Sequence, residues 1–100
     1  MLKITTMEEQ TQYRLVVEGK LIAPWISELK SACDRARTGL NGRKLVVDLQ
    51  CLTFISQEGE KILLELMYDG TEICGSGLFT KHILRQLTRR RRRNLPEENR

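Results

Sequence analysis

Residues 44 to 59 read Lys44-Leu45-Val46-Val47-Asp48-Leu49-Gln50-Cys51-Leu52-Thr53-Phe54-Ile55-Ser56-Gln57-Glu58-Gly59, and the two ends of this stretch follow different patterns. Lys44 to Leu49 has an unbroken apolar centre, the mark of a strand covered on at least one side and placed centrally in a sheet. Phe54 and Ile55 then lead to Ser56, whose hydroxyl suits a helix N-cap. Beyond it Gly59, Ile62, Leu63, Leu66 and Met67 recur at helical spacing, and the helix ends near Asp69-Gly70. A strand that runs into a one-sided helix is the building unit of an α/β fold.

Upstream, Leu2-Lys3-Ile4-Thr5-Thr6 alternates apolar with polar, and Tyr13 to Gly19 is rich in strand formers. The polar turn Glu8-Glu9-Gln10 joins them, so they read as two paired strands. Trp25, Ile26, Leu29, Ala32, Cys33 and Ala36 mark a helix, with Pro24 suited to its first turn and Gly39 to its stop. Asn41-Gly42 turns the chain into the central strand. Downstream, Thr71-Glu72-Ile73-Cys74 supplies a short fourth strand and Gly75-Ser76-Gly77 a turn, after which Phe79, Ile83, Leu84 and Leu87 form the stripe of a third helix. The order is ββαβαβα, which predicts an α/β fold with a four-stranded mixed sheet covered by helices. Trp25, Leu29, Val46, Val47, Ile62, Leu63, Leu66 and Ile83 are expected to be buried together as its core.

The chain has 100 residues, 40% of them hydrophobic and 30% charged, which suits one domain. Its charge is unevenly placed. Residues 1–87 hold 11 Lys+Arg against 11 Asp+Glu, whereas 88–100 hold six Arg against Glu97 and Glu98. The expected division is a neutral domain over 1–87 and a basic, disordered tail over 88–100, because the apolar stripe stops at Leu87. Any attraction for polyanions then belongs to the tail. Cys33, Cys51 and Cys74 form no C-x-x-C pair and read as reduced thiols rather than a disulfide framework or zinc site. The absence of a long apolar run or a secretory block at Met1-Leu2-Lys3-Ile4-Thr5 predicts a cytoplasmic protein.

The stretch Leu45 to Gly59, the strand Tyr13 to Gly19 and the turn-helix Gly75 to Leu87 together resemble the STAS family, the domain of anti-sigma-factor antagonists and sulfate-transporter tails. The resemblance implies a small α/β interaction module that docks on a partner kinase or other protein, often under phosphorylation at the start of the second helix. The family pattern there is an apolar pair, Asp, Ser, a phosphorylated Ser or Thr, then Gly. Here Phe54-Ile55 is followed by Ser56, Gln57, Glu58 and Gly59, so the resemblance puts Glu58 at the phosphoacceptor position. Glu58 then acts as a partial phosphomimic, with about −1 charge where phosphoserine carries about −1.5 to −2. Against this stands a plainer reading, in which Glu58 and Glu60 are first-turn acids that favour the helix N-terminus by about 0.3–1 kcal/mol. Ser56 falls where the family has Asp and reads as a cap rather than a phosphosite. Family members commonly add another strand and helix, so a C-terminal truncation of the fold is also expected.

Nothing in the sequence calls for catalysis, a cofactor or a metal. His82 is the lone histidine, Asp48 is a single carboxylate expected at a strand end, and Gly75-Ser76-Gly77 lacks phosphate-cradling spacing. The favoured reading is a non-enzymatic docking module. Its partner surface comprises Ser56, Gln57, Glu58 and Glu60, and its partner is an anti-sigma factor kinase or another regulator. Two alternatives stand: an electrostatic adaptor for nucleic acid or anionic membrane through Arg89, Arg90, Arg91, Arg92 and Arg93, and a regulatory subunit of a transporter complex.

Overall fold

Each apolar pattern becomes an element: β1 Leu2–Glu8, β2 Gln12–Leu21, α1 Ile26–Arg37, β3 Lys44–Ile55, α2 Gln57–Tyr68, β4 Glu72–Cys74 and α3 Leu78–Asn94. They are seen in a computed structural model that describes residues 1–75 and 77–94. The sheet has the order β1-β2-β3-β4, with β1 antiparallel to β2 and the other two pairings parallel. Among the described residues it is a four-stranded mixed sheet with three helices. The β2-α1-β3 and β3-α2-β4 crossovers step across the sheet in the same direction, so the common handedness of such units puts both helices on one face.

That face holds the core. Leu15, Val17 and Leu21 of β2 and Leu45, Val47 and Leu49 of β3 pack with Leu29, Cys33 and Ala36 of α1 and with Leu63 and Leu66 of α2. Ile83 and Leu87 bring α3 into the same cluster. β4 pairs only with Val46, Val47 and Asp48, which leaves the second half of β3 without a strand on that side. There α3 starts against β3, with the buried Thr80 hydroxyl donating to the Leu49 carbonyl at 3.0 Å.

The opposite face of the sheet carries no described helix, and its side chains cover themselves. Arg14 Nη1 donates to Asp48 Oδ2 at 2.6 Å, and Lys44 Nζ lies 3.1 Å from Glu72 Oε1. Val46, flanked in register by Arg14 and Glu72, is only 1% exposed. Long charged side chains shield apolar atoms in this way because their stems are hydrocarbon.

Several expectations need correction. Val46 is buried, but on this polar face and apart from the core cluster, because residues two apart share a face of a strand and Val46 alternates with Leu45 and Val47. Trp25 and Ile62 are half-buried and pack on the rim of the core. Pro24 sits in the turn before α1 rather than in its first turn, and α1 begins at Ile26. The central strand continues past Leu49 to Ile55, so Asp48 lies within it and not at its end. α3 also runs past Leu87 to Asn94, so the expected boundary at 87 falls inside a helix. Arginine is a good helix former, and cations complement the negative end of the helix dipole, which lets the run extend the helix without an apolar stripe. The rest of the expected tail, residues 95–100, lies outside the described residues, as does Ser76.

Candidate functional site

The start of α2 is fixed by three local features. Ser56 is extended, with φ −86° and ψ 171°, and its Oγ accepts from the Gly59 N–H at 3.1 Å, so it is the N-cap expected. Caps of this type contribute about 1 kcal/mol. The Ser56 N–H and Oγ both donate to the Leu21 carbonyl, at 3.2 and 3.4 Å, which ties the helix start to the end of β2. Gly59 completes the joint. A Cβ added there would lie 2.6 Å from the Leu21 oxygen and 2.8 Å from Ile55 Cγ1, so only glycine lets the first turn sit this close to β2.

With Ser56 and Gly59 turned inward, Gln57 and Glu58 project outward and are exposed. Glu58 stands on a ridge between two grooves. One, of about 470 Å³, runs between α1 and α2 and is lined by Ala23, Pro24, Ile26 and Ile62, with Lys30, Lys61 and Glu65 at its margins. The other, of about 560 Å³, lies between α2 and α3 and is lined by Gln57, Glu60, Lys61, Gln86 and Arg90. Glu58 and Lys61 line both. The first groove offers apolar surface beside charge, whereas the second is polar.

The two acids of this turn have different surroundings. Glu60 accepts from Arg90 Nη1 at 2.8 Å, and its side chain is 18% exposed. Its charge is already answered from within the chain. Glu58 makes no hydrogen bond or ion pair with a described residue. The structure thus brings Ser56, Gln57, Glu58 and Glu60 onto one helical turn but divides their tasks: Ser56 caps, Glu60 joins α2 to α3, and Gln57 and Glu58 face solvent.

Lys61 and the Pro24-Ile26 side of the first groove were not among the site residues that the sequence singled out, and Arg90 was singled out only as part of the basic tail, not as the partner of Glu60. A signal for Arg90 was present in its spacing, three residues after Leu87 and seven after Ile83, which continues the inward face of a helix. Among the described residues no group of three or more His, Cys, Asp or Glu is placed to hold a metal ion, and His82 is exposed. No described helix is long and apolar enough to cross a membrane.

No family model matches the chain, and no curated protein matches it. Solved structures do. An anti-sigma-factor antagonist STAS domain from Rhodobacter sphaeroides matches at a TM-score of 0.55 and 17% identity, over 76% of this chain and 86% of that one. The fold is that of a STAS domain. A Shewanella loihica protein described as having a SpoIIAA-like fold matches at a TM-score of 0.54 and 19% identity, over 78% of this chain and 70% of that one. Mglu matches at 0.58 and 20% identity, over 74% of this chain, which spans 19% of Mglu. The STAS fold agrees with the element order read from the sequence.

Proposed function

We propose that this STAS-fold chain is a non-catalytic docking module, similar to an anti-sigma-factor antagonist, whose partner surface is the Gln57-Glu58 ridge and the grooves beside it. The observation that carries the reading is the state of Glu58. It is exposed at the start of α2, flanked by two grooves, and free of any ion pair among the described residues, while its neighbour Glu60 is held by Arg90. A negative charge left without an internal partner beside a half-apolar groove suits a protein that brings a cation and an apolar side chain together. The partner class is a regulator such as an anti-sigma factor kinase.

In a switching antagonist a hydroxyl gains about −1.5 to −2 of charge on phosphorylation. With Glu58 in that position a charge is always present, so partner choice follows the carboxylate rather than a kinase reaction. Ser56 retains its hydroxyl, but that group is engaged with the Gly59 N–H and the Leu21 carbonyl.

The test is capture from the native host with wild type, Glu58→Gln and Glu58→Lys, followed by calorimetry of the captured protein at two salt concentrations. Removing or reversing a first-turn acid costs on the order of 1 kcal/mol, too little to unfold the domain, so differences report on binding. The reading expects a partner that binds wild type, weakens with Glu58→Gln and is lost with Glu58→Lys. Equal affinity for all three would reduce Glu58 to a helix-start acid.

A further inference from the structure

The arginine run is the longest stretch of one charge in the chain, and its helical state changes what it can bind. Five arginines on a disordered tail could all reach one polyanion. On a helix successive side chains are turned by about 100°, so only those that share a face act together. The rotation of α3 is set by Ile83 and Leu87, which are 4% and 0% exposed in the core, and by the Arg90 bridge to Glu60. On the side turned away from the core lie Lys81, Arg85 and Arg89, all exposed. At about 100° per residue their mean direction is about 180° from that of Ile83 and Leu87. They form a line of cations spaced by about 6 Å along the helix, from the 1.5 Å rise per residue.

Among the described residues no acid is ion-paired to this line, though Arg89 shares a small cleft with Glu60 and Arg90. Residues 78–94 contain no Asp or Glu, and none of the three cations is ion-paired to a described residue. We propose that Lys81, Arg85 and Arg89 form a binding surface for the phosphate backbone of a nucleic acid duplex, without sequence preference. This surface is separate from the Glu58 ridge and does not rest on the docking reading.

The choice of partner follows from what the same helix lacks. A helix that enters a membrane interface buries its apolar face in lipid. Here that face is spent on the protein core, so a bilayer is met by charge alone. Single strands are usually gripped by stacking on aromatic side chains. Phe79, the only aromatic residue of α3, is 39% exposed but points about 120° away from the cation line. What remains is a row of cations that turns by about 40° from one to the next, and duplex DNA offers the denser partner, about one negative charge per 1.7 Å of axis.

The experiment is fluorescence anisotropy of a labelled duplex of about 20 base pairs, titrated with the full chain between about 50 and 200 mM salt. Replacing Lys81, Arg85 and Arg89 together by Gln should make the slope of log affinity against log salt shallower by about 2.7, from about 0.9 per phosphate contact. Over that salt range the three contacts account for about a 40-fold loss of wild-type affinity. Thr88 is exposed and neutral and lies about 60° from the mean direction of the line, on the same side of the helix, so Thr88→Arg should steepen the slope by up to about 0.9. Circular dichroism of the variants confirms that the fold is retained. No duplex binding at the lowest salt would overturn the proposal, as would a triple variant with wild-type affinity and slope. Tighter binding to phosphatidylserine vesicles than to duplex, abolished in the triple variant, would also overturn it and assign the surface to membranes.

Discussion

Replacing Gly59 by Ala tests the joint that positions the Glu58 ridge. On an open helix surface this change stabilises, since alanine is favoured over glycine by about 1 kcal/mol in a helix. At Gly59 the new methyl would meet the Leu21 oxygen at 2.6 Å, Ile55 Cγ1 at 2.8 Å and Leu21 Cγ at 3.1 Å. The side-chain atoms can turn aside. The oxygen cannot do so easily, because it belongs to the backbone of β2 and accepts from both the Ser56 N–H and Oγ. An ordinary carbon–oxygen contact is about 3.3 Å or more, so α2 and β2 must separate by about 0.7 Å. Overpacking of that kind costs about 1–3 kcal/mol, and the propensity gain offsets about 1 of it. The expected net loss is about 0–2 kcal/mol, where an unhindered site would gain about 1. In a domain of this size each kcal/mol lowers Tm by about 4–8 °C. Gly39→Ala, in the turn after α1, is a control for an unhindered site, since nothing lies nearer than 4.0 Å to a Cβ there and its φ is not positive. Urea denaturation followed by circular dichroism measures both. A Gly59→Ala protein more stable than wild type by about 1 kcal/mol, the unopposed propensity gain, would refute the close approach of α2 to β2.

Leu63 has 0% exposure at the centre of the core, so Leu63→Ala should cost about 2–5 kcal/mol in the same assay, and a loss below about 0.5 would mean that α2 turns another face inward. Burial pushes the Cys33 thiol up to about 11, so the folded state keeps its proton where the unfolded chain, near 9, loses it. Stability from this group is fully present below pH 9 and is lost as pH rises towards 11, by an amount on the order of 2 kcal/mol. Comparing wild type with Cys33→Ala across that range isolates the effect, because the variant lacks this part of the pH slope. An identical slope in both would contradict the buried thiol.

What the sequence determined was what local chemistry can determine. Helical stripes such as Leu29-Cys33-Ala36 and Leu63-Leu66, the alternation in β1, the Ser56 cap and the Asn41-Gly42 turn act over a few residues, so the order ββαβαβα and the N-cap were legible without neighbours. Where the pattern depended on partners, it misled. β3 opposes β2 with one extra residue between Asp48 and Cys51 and another between Leu52 and Phe54. These bulges change the inward spacing from two, at Leu45, Val47 and Leu49, to three, at Leu52 and Ile55, so the second half of the strand does not alternate as a strand should. The same holds at the site. Glu58 and Glu60 look alike along the chain, and only the packing of α3 against α2 brings Arg90, 30 residues away, onto one of them. The requirement for glycine at position 59 comes from a carbonyl of β2, and the separation of Val46 from the core comes from the side of the sheet that the crossovers leave bare. Local periodicity states which residues share a face of an element, and the tertiary fold decides what that face meets.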